Sequence, residues 1–454
     1  MRESAFWLYH RRIRRTNLRG LLDEYRTTQY WTEDQLRDYQ MAALRRLLTH
    51  CAEKVPYYKL LFRQLGIDPR QMKEPEDIRS IPLLTKETIK ANLDSMITEG
   101  VDKTTLRLNS TSGSTGASLY FYSDLKTRTC QALQLRADEW MGIGLFDPEL
   151  RIWGARWDVS ALAKVVPRMQ NAFLRRRVLS GYRLSDEDVA GCLALIRRTR
   201  PALLHSYPSI LYLLASRWTG EPPRGLRAIR SAGEKLFDFQ REKIEERFGC
   251  RVFDFYGARD IPIIAQECSA HQGLHVNVEN VVLEVVDESG QPLEEGEGDL
   301  VLTHLNNSVM PFVRYRIGDR AKITRRRCPC GRGLPLLEEV TGRGFDVITF
   351  PNGNRVGGTF WTLLVKSGEG AKHVGAFQVV QTDPCSIVVR YSGESALPPS
   401  EEDRIRSCVE EYSGPKLRLE FQHVQEISPT SGGKWRFVVG CERPGSGHER
   451  PDAP

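Results

Sequence analysis

The chain has 454 residues, 40% of them hydrophobic and 27% charged, with 65 basic against 58 acidic side chains and a formal net charge of +7. That length accommodates two or three domains around a sizeable core, and the composition excludes a low-complexity or disordered protein. The mild basic excess suits anionic small molecules such as nucleotides and does not call for a nucleic acid, a solvated basic surface being the plain alternative. No segment reaches the roughly 18 uninterrupted apolar residues of a membrane span, and the arginine-bearing start MRESAFWLYHRRIRR leads into no apolar run of secretory length. A cytoplasmic protein is expected, and its ten scattered cysteines read as reduced thiols or metal ligands rather than disulfides.

Residues 1–104 read as mostly helical: TEDQLRDYQMAALRRLLTHCAEKV has apolar residues at helical spacing, and SIPLLTKETIKANLDSM restarts helix after its proline. Residues 105–342 alternate strand-like runs (RVFDFYG, NVVLEVVD, GDLVLTHL) with amphipathic segments such as DFQREKIEERFG, the pattern of an α/β body. Residues 343–440 combine strands (FQVVQ, CSIVVRYSG) with a helix (SEEDRIRSCVEEY), enough for a small α+β domain, and 441–454 read as a disordered tail.

The segment NSTSGSTGASLYFYSD places four hydroxyl side chains, Thr111, Ser112, Ser114 and Thr115, beside Gly113 and Gly116. Hydroxyl donors and closely approachable backbone N–H groups suit a phosphate, although the same residue types also build ordinary polar turns between strands. It is not a Walker A loop, because no Gly-Lys-Ser/Thr ending is present and FYSD reads as strand rather than helix.

Taken with SAGEKL (231–236), DFYGARD (254–260), YRIGDR (315–320), TGRGFD (341–346) and PTSGGKWRF (429–437), the loop STSGSTGAS resembles the ordered motifs of the adenylate-forming superfamily. KVPYYKLLFRQLG and IPLLTKETIKANL narrow the resemblance to the phenylacetate-CoA ligase family and its capsule-biosynthesis branch. The resemblance covers nearly the whole chain. It implies a large multi-sheet α/β amino-terminal domain with a small mobile α+β carboxy-terminal domain, and a ligase that joins a carboxylic acid to AMP with release of pyrophosphate.

By this resemblance ATP is cradled by Thr111, Ser112, Gly113, Ser114, Thr115 and Gly116, and Gly233 and Glu234 line the base pocket. Asp254, Phe255, Tyr256 and Gly257 form the strand end where Tyr256 stacks on adenine. Asp319 accepts the ribose hydroxyls, and Arg343 reaches the sugar or the phosphate. Asp260 stands where the family usually has a glutamate that helps hold Mg²⁺, and Arg259 replaces a small threonine. Lys434 is the cation that bridges the attacking carboxylate and the α-phosphate, unless it is a solvated surface lysine. The family's hinge falls just after Arg343, near Phe345 and Asp346.

The acid is expected among Trp153, Trp157, Tyr207, Ser231 and the strand ending at Tyr256, aromatics that hint at an aryl substrate and could equally be core. Cys268, Cys328 and Cys330 with His275, or His271 as its rival, match a structural zinc site that several members of the resembled family carry; metal-free thiols are the alternative. Coenzyme A is the default acyl acceptor, with an amine or a carrier-protein thiol as alternatives because VITFPNGNRVGGTFW departs from the family's thiol-channel pattern. A nucleotide-binding protein without ligase activity is the reading from another class, and a monomer or homodimer is expected.

Overall fold

The computed structural model describes residues 2–110, 119–123, 128–153, 165–179, 186–342, 347–352, 354–365, 373–374, 376–393, 395–414, 416–425, 427 and 438–440. Its longest helix, Glu33–Lys54, starts at a capping box in which Gln35 N donates to Thr32 Oγ1 and Thr32 N donates to Gln35 Oε1. One face buries Leu36, Met41, Leu44, Leu47, Leu48 and Cys51. The helix stops at Val55, whose extended backbone precedes Pro56, and Pro56 opens the next helix, Pro56–Leu65.

The first two strands, β1 (Arg107–Ser110) and β2 (Tyr120–Ser123), pair as a hairpin with Ser110 opposite Tyr120. The following strands are β3 (Glu149–Ile152), β4 (Arg176–Leu179), β5 (Leu203–Ser206), β6 (Ala228–Ala232) and β7 (Arg251–Tyr256). After them come β8 (Ala265–Glu267), β9 (Leu274–Val276), β10 (Val281–Val286), β11 (Pro292–Leu293), β12 (Gly296–His304), β13 (Tyr315–Thr324) and β14 (Leu336–Gly342). Among the described residues β3 to β14 join in one sheet ordered β11-β10-β12-β13-β14-β9-β8-β7-β6-β5-β3-β4. The β4-β3-β5-β6-β7 half is parallel, with helices Asp186–Thr199, Pro208–Arg217 and Asp238–Phe248 between its strands, and the half beyond β7 is antiparallel. The α/β expectation holds. Ligands of such sheets gather outside the carboxyl ends of the parallel strands.

Carboxy-terminal to this sheet, β15 (Val347–Thr349) and β16 (Arg355–Gly357) pair as a hairpin. β17 (Ala376–Asp383), β18 (Ser386–Ser392), β19 (Arg418–His423) and β20 (Val438–Val439) form a second sheet ordered β19-β18-β17-β20. With helices Gly358–Val365 and Pro399–Ser413 it encloses a separate core around Trp361, Phe377, Val389, Tyr391 and Ile405. No helix among the described residues is long and apolar enough to cross a membrane.

Two buried ion pairs stitch the amino-terminal segment onto the sheet. Arg136, fully buried on helix Arg128–Trp140, donates to Glu279 Oε1 at 2.6 Å, to Asn277 Oδ1 at 2.7 Å and to the Tyr25 carbonyl at 3.1 Å. Arg314 holds Glu284 through two 2.9 Å bonds and reaches the carbonyls of Arg79 and Ile81. Removing one partner of such a pair strands the other charge away from water. Arg136→Ala is therefore expected to cost about 3–5 kcal/mol, read as a lowered urea midpoint; an unshifted midpoint would show that Glu279 finds solvent without it.

Candidate active site and metal centre

β7 delivers Tyr256 at its carboxyl end, and the tight turn that follows carries Gly257, Arg259 and Asp260. Gly257 leaves no room for a side chain, because a Cβ there would stand 2.8 Å from Ile263 N. Tyr256 is half-buried and its hydroxyl donates to Asp319 Oδ2 at 2.8 Å, which ties the last parallel strand to β13. Asp260 is buried, and burial pushes its carboxyl up from the ordinary value against the pull of the Tyr315 hydroxyl and the Lys86 ammonium. Arg259, one residue before it, is exposed.

Asp254 and Phe255 lie deeper. Ser231 Oγ donates to Asp254 Oδ1 at 3.2 Å, and burial, then the neighbouring Glu267 carboxylate, push Asp254 up to about 7. Phe255 belongs to a buried cluster with Phe253 and Ala228 and has the Arg230 guanidinium 4.7 Å over its ring.

At the end of β6, Gly233 has φ +83°, the left-handed region that disfavours other residues. It packs against two stacked rings, Trp153 following β3 and Tyr207 following β5, whose centroids are 4.3 Å apart at 15°. Glu234 accepts from Ser209 N at 3.3 Å in the first turn of helix Pro208–Arg217, and burial pushes its carboxyl up to about 7. Beside it, Lys235 pairs with Glu339 on β14.

Four other groups converge below the antiparallel half. The ligand atoms of Cys268, His275, Cys328 and Cys330 lie within 4.8 Å of one another. Cys268 Sγ is 3.6 Å from Cys328 Sγ, and Cys330 Sγ is 3.3 Å from His275 Nε2. His275 sits in β9 between β8 and β14, with Nδ1 3.3 Å from the Leu334 carbonyl, so Nε2 faces the sulfurs as an acceptor. Burial pushes its pKa down to about 4 and keeps the ring neutral, as a metal ligand must be. His271 instead lies in the turn between β8 and β9, 3.2 Å from Glu267 and 3.4 Å from Arg241 Nη1, outside the cluster. The loop carrying Cys328 and Cys330 rests on the amino-terminal helices: Gly333 N donates to the Gln29 carbonyl at 2.9 Å, and a Cβ on Gly333 would stand 1.9 Å from the Trp31 carbonyl oxygen. Three thiols and an imidazole at these separations fit a metal ion that takes four protein ligands tetrahedrally.

The CapK C-terminal domain family matches residues 349–440. Phenylacetate-coenzyme A ligase from Thermus thermophilus is 29% identical over 338 residues, 69% of this chain and 72% of that protein. Protein CapK from Staphylococcus aureus is 24% identical over 378 residues, 80% of each. The fold matches the crystal structure of 2-hydroxyisobutyryl-CoA ligase in its postadenylation state with a TM-score of 0.64 and 18% identity over 91% of both chains. Over most of its length the chain is similar to phenylacetate-CoA ligases and to CapK. Its large mixed sheet and small carboxy-terminal sheet are the fold of that acyl-CoA ligase structure.

Of the residues that the motif resemblance singles out, Trp153, Tyr207, Gly233, Glu234, Tyr256, Asp260 and Asp319 surround the carboxyl ends of the parallel strands or the turn beyond them. Thr111 to Gly116, Trp157, Arg343, Phe345, Asp346, Lys434 and the tail 441–454 lie outside the described residues. No motif points to Lys86, yet the structure brings it here. Leu84 bridges to Tyr315, with Leu84 N donating to the Arg314 carbonyl and Arg316 N to the Leu84 carbonyl, each at 2.9 Å. That pairing lays the start of helix Lys86–Ala91 along β13 and sets Lys86 Nζ against Gly318, 3.4 Å from where a Cβ would stand. The available signal was Thr85, a helix cap that fixes where Lys86 begins its turn.

Gly233 offers a direct probe of this corner, since an added Cβ would stand 2.8 Å from a Tyr207 ring carbon and 3.2 Å from Trp153. Gly233→Ala should cost about 1–3 kcal/mol through overpacking and weaken the near-ultraviolet circular dichroism of the stacked rings. A mutant with wild-type melting temperature and spectrum would show that the rings do not lean on Gly233.

Proposed function

We propose that this protein activates a carboxylic acid with ATP and passes the acyl group to a thiol, coenzyme A by default, as an AMP-forming acid-thiol ligase. A carboxylate oxygen attacks the α-phosphorus, the bond to the β-phosphate breaks, and pyrophosphate leaves. A thiol then attacks the acyl carbon, the thioester forms, and AMP leaves. The observation that carries this reading is the Tyr256–Asp319 hydrogen bond. A ring that stacks on the base thereby holds, through its own hydroxyl, the carboxylate that accepts the ribose hydroxyls, so one contact orients both halves of a nucleoside.

Thr111 to Gly116 would cradle the phosphates, and Gly233 and Glu234 would flank the base. Arg343 would reach the sugar or the phosphate, and Arg259 would stand at the phosphate edge. Asp260, a buried carboxylate with Asp319 and Lys86 as its charged neighbours, would offer Mg²⁺ a hard oxygen ligand, and the ion would supply positive charge to the phosphates. Lys86 adds a positive charge on the same side. The acid would lie against Trp153, Tyr207 and Ser231, and the aromatic rings there favour an aryl or otherwise flat acid.

Lys434 would compensate the charge that gathers as carboxylate meets α-phosphate. Lys434→Ala should lower ATP–pyrophosphate exchange by about 10²–10³, equivalent to about 2.7–4 kcal/mol of barrier, while ATP still binds. With the correct acid labelled in its carboxylate with oxygen-18, the released AMP should carry the label. Unlabelled AMP across a broad acid panel would refute adenylation.

Zn²⁺ is the metal we assign to Cys268, His275, Cys328 and Cys330, in a structural role because four protein ligands leave no position for substrate. Tetrahedral bonds of about 2.0–2.3 Å place ligand atoms about 3.3–3.8 Å apart, close to the two separations observed. Purified protein should contain stoichiometric zinc, and Cys328→Ser should lose it and lower the melting temperature. Zinc-free protein with an unchanged melting temperature would remove the metal from the structure.

A further inference from the structure

We propose that the amino-terminal segment, residues 2–15, and the neighbouring helix Val165–Phe173 form one peripheral docking face for an anionic lipid bilayer. Of the nine large apolar side chains left exposed among the described residues, four lie in these two short segments: Leu8 and Ile13 in the first, Met169 and Phe173 in the second. Ile13 and Met169 are 71% and 67% exposed, more than any of the others. Single exposed apolar residues need no explanation, but concentration in one region does.

The two segments share a foundation. Phe6 packs edge-on against Phe146 with centroids 6.2 Å apart, and Phe146 packs the same way against Phe173 at 5.6 Å. Trp7, Phe146 and Leu174 all lean on the buried cluster of Phe6, Leu18 and Leu22. The exposed side chains therefore stand on a common, firmly packed base, and the segments are not independent tails.

The charge within the two segments is one-sided, and the acids that line the hollow beside Trp7 and Phe146 are paired: Glu139 with Arg26, Asp147 with Arg227 and Asp138 with Arg230. Residues 2–19 contain six arginines and a single acidic residue, Glu3, and no acidic residue occurs from 165 to 179. Arg11, Arg12, Arg14 and Arg15 are exposed at the end of the first helix, and Arg175 and Arg177 are exposed just beyond the second. Exposed arginines that flank exposed Leu, Ile, Met and Phe along these segments match an interface that presents negative headgroups over an apolar interior. A free polyanion such as a nucleic acid would satisfy the arginines and offer nothing to Leu8, Ile13 and Met169. Attachment of this kind needs no spanning helix, and it leaves the carboxyl ends of the parallel strands open to solvent-borne substrates.

The test is co-sedimentation of the full chain with vesicles of phosphatidylcholine alone or mixed with phosphatidylglycerol, at low and high salt. Binding to the mixed vesicles at low salt is expected, weaker by about tenfold or more on phosphatidylcholine alone or at high salt. The combined variant Leu8→Ser, Ile13→Ser, Met169→Ser should weaken it by a similar factor, as should Arg11→Glu with Arg12→Glu. Their exposure means that the melting temperature should not change, which separates lost docking from lost folding. No binding to the mixed vesicles overturns the proposal. So does binding that the apolar variant retains in full and that heparin competes away, which would mark the arginines as a general polyanion contact.

Discussion

The geometry of this protein depends on a single switch in strand direction. Up to β7 the sheet is parallel, each strand delivered by a helix from behind, and from β8 onward it is antiparallel. Only at that junction can the open carboxyl end of a parallel strand face a residue brought in by a meandering one. The bond from Tyr256 to Asp319 crosses this junction. Asp260 lies in the turn that reverses the chain there, and Glu234 and Gly233 end the strand next to it. Were the sheet parallel throughout, a crossover helix would occupy the space in which these groups meet.

Much of this was legible in the sequence because it is local. The long helix Glu33–Lys54 follows its apolar period and begins at its threonine, and RVFDFYG, NVVLEVVD and GDLVLTHL all became strands. Family motifs then gathered Tyr256 and Asp319 at one place. What stayed hidden depends on tertiary pairing. Nothing near Lys86 in the chain indicates that Leu84 will hydrogen-bond along β13, so its approach to Asp260 and Gly318 could not be read from composition or period. Both His271 and His275 were open as partners of the three cysteines. The choice falls to the backbone, which seats His275 between two strands and turns His271, at φ +50°, toward Glu267.

The same distinction separates the motif residues from one another. Asp254 and Phe255 sit in DFYG beside Tyr256, yet alternation along β7 gives them different work: Phe255 packs in a buried cluster and Asp254 meets Ser231 inside the sheet. A motif is contiguous in sequence, but its chemistry is distributed over both faces of a strand. Position in the pleat, more than membership of the motif, tells which residue can touch a ligand.

Gly333 carries a consequence for dissecting the chain. Its backbone is pressed against the carbonyl of Trp31, and its amide is held by Gln29, so the cysteine-bearing loop is built on the first helices as on a plinth. An excised catalytic core lacking those helices would therefore uncover the sulfur cluster as well as the apolar wall behind it. The opening hundred residues are not a detachable module, and a shortened derivative must keep them.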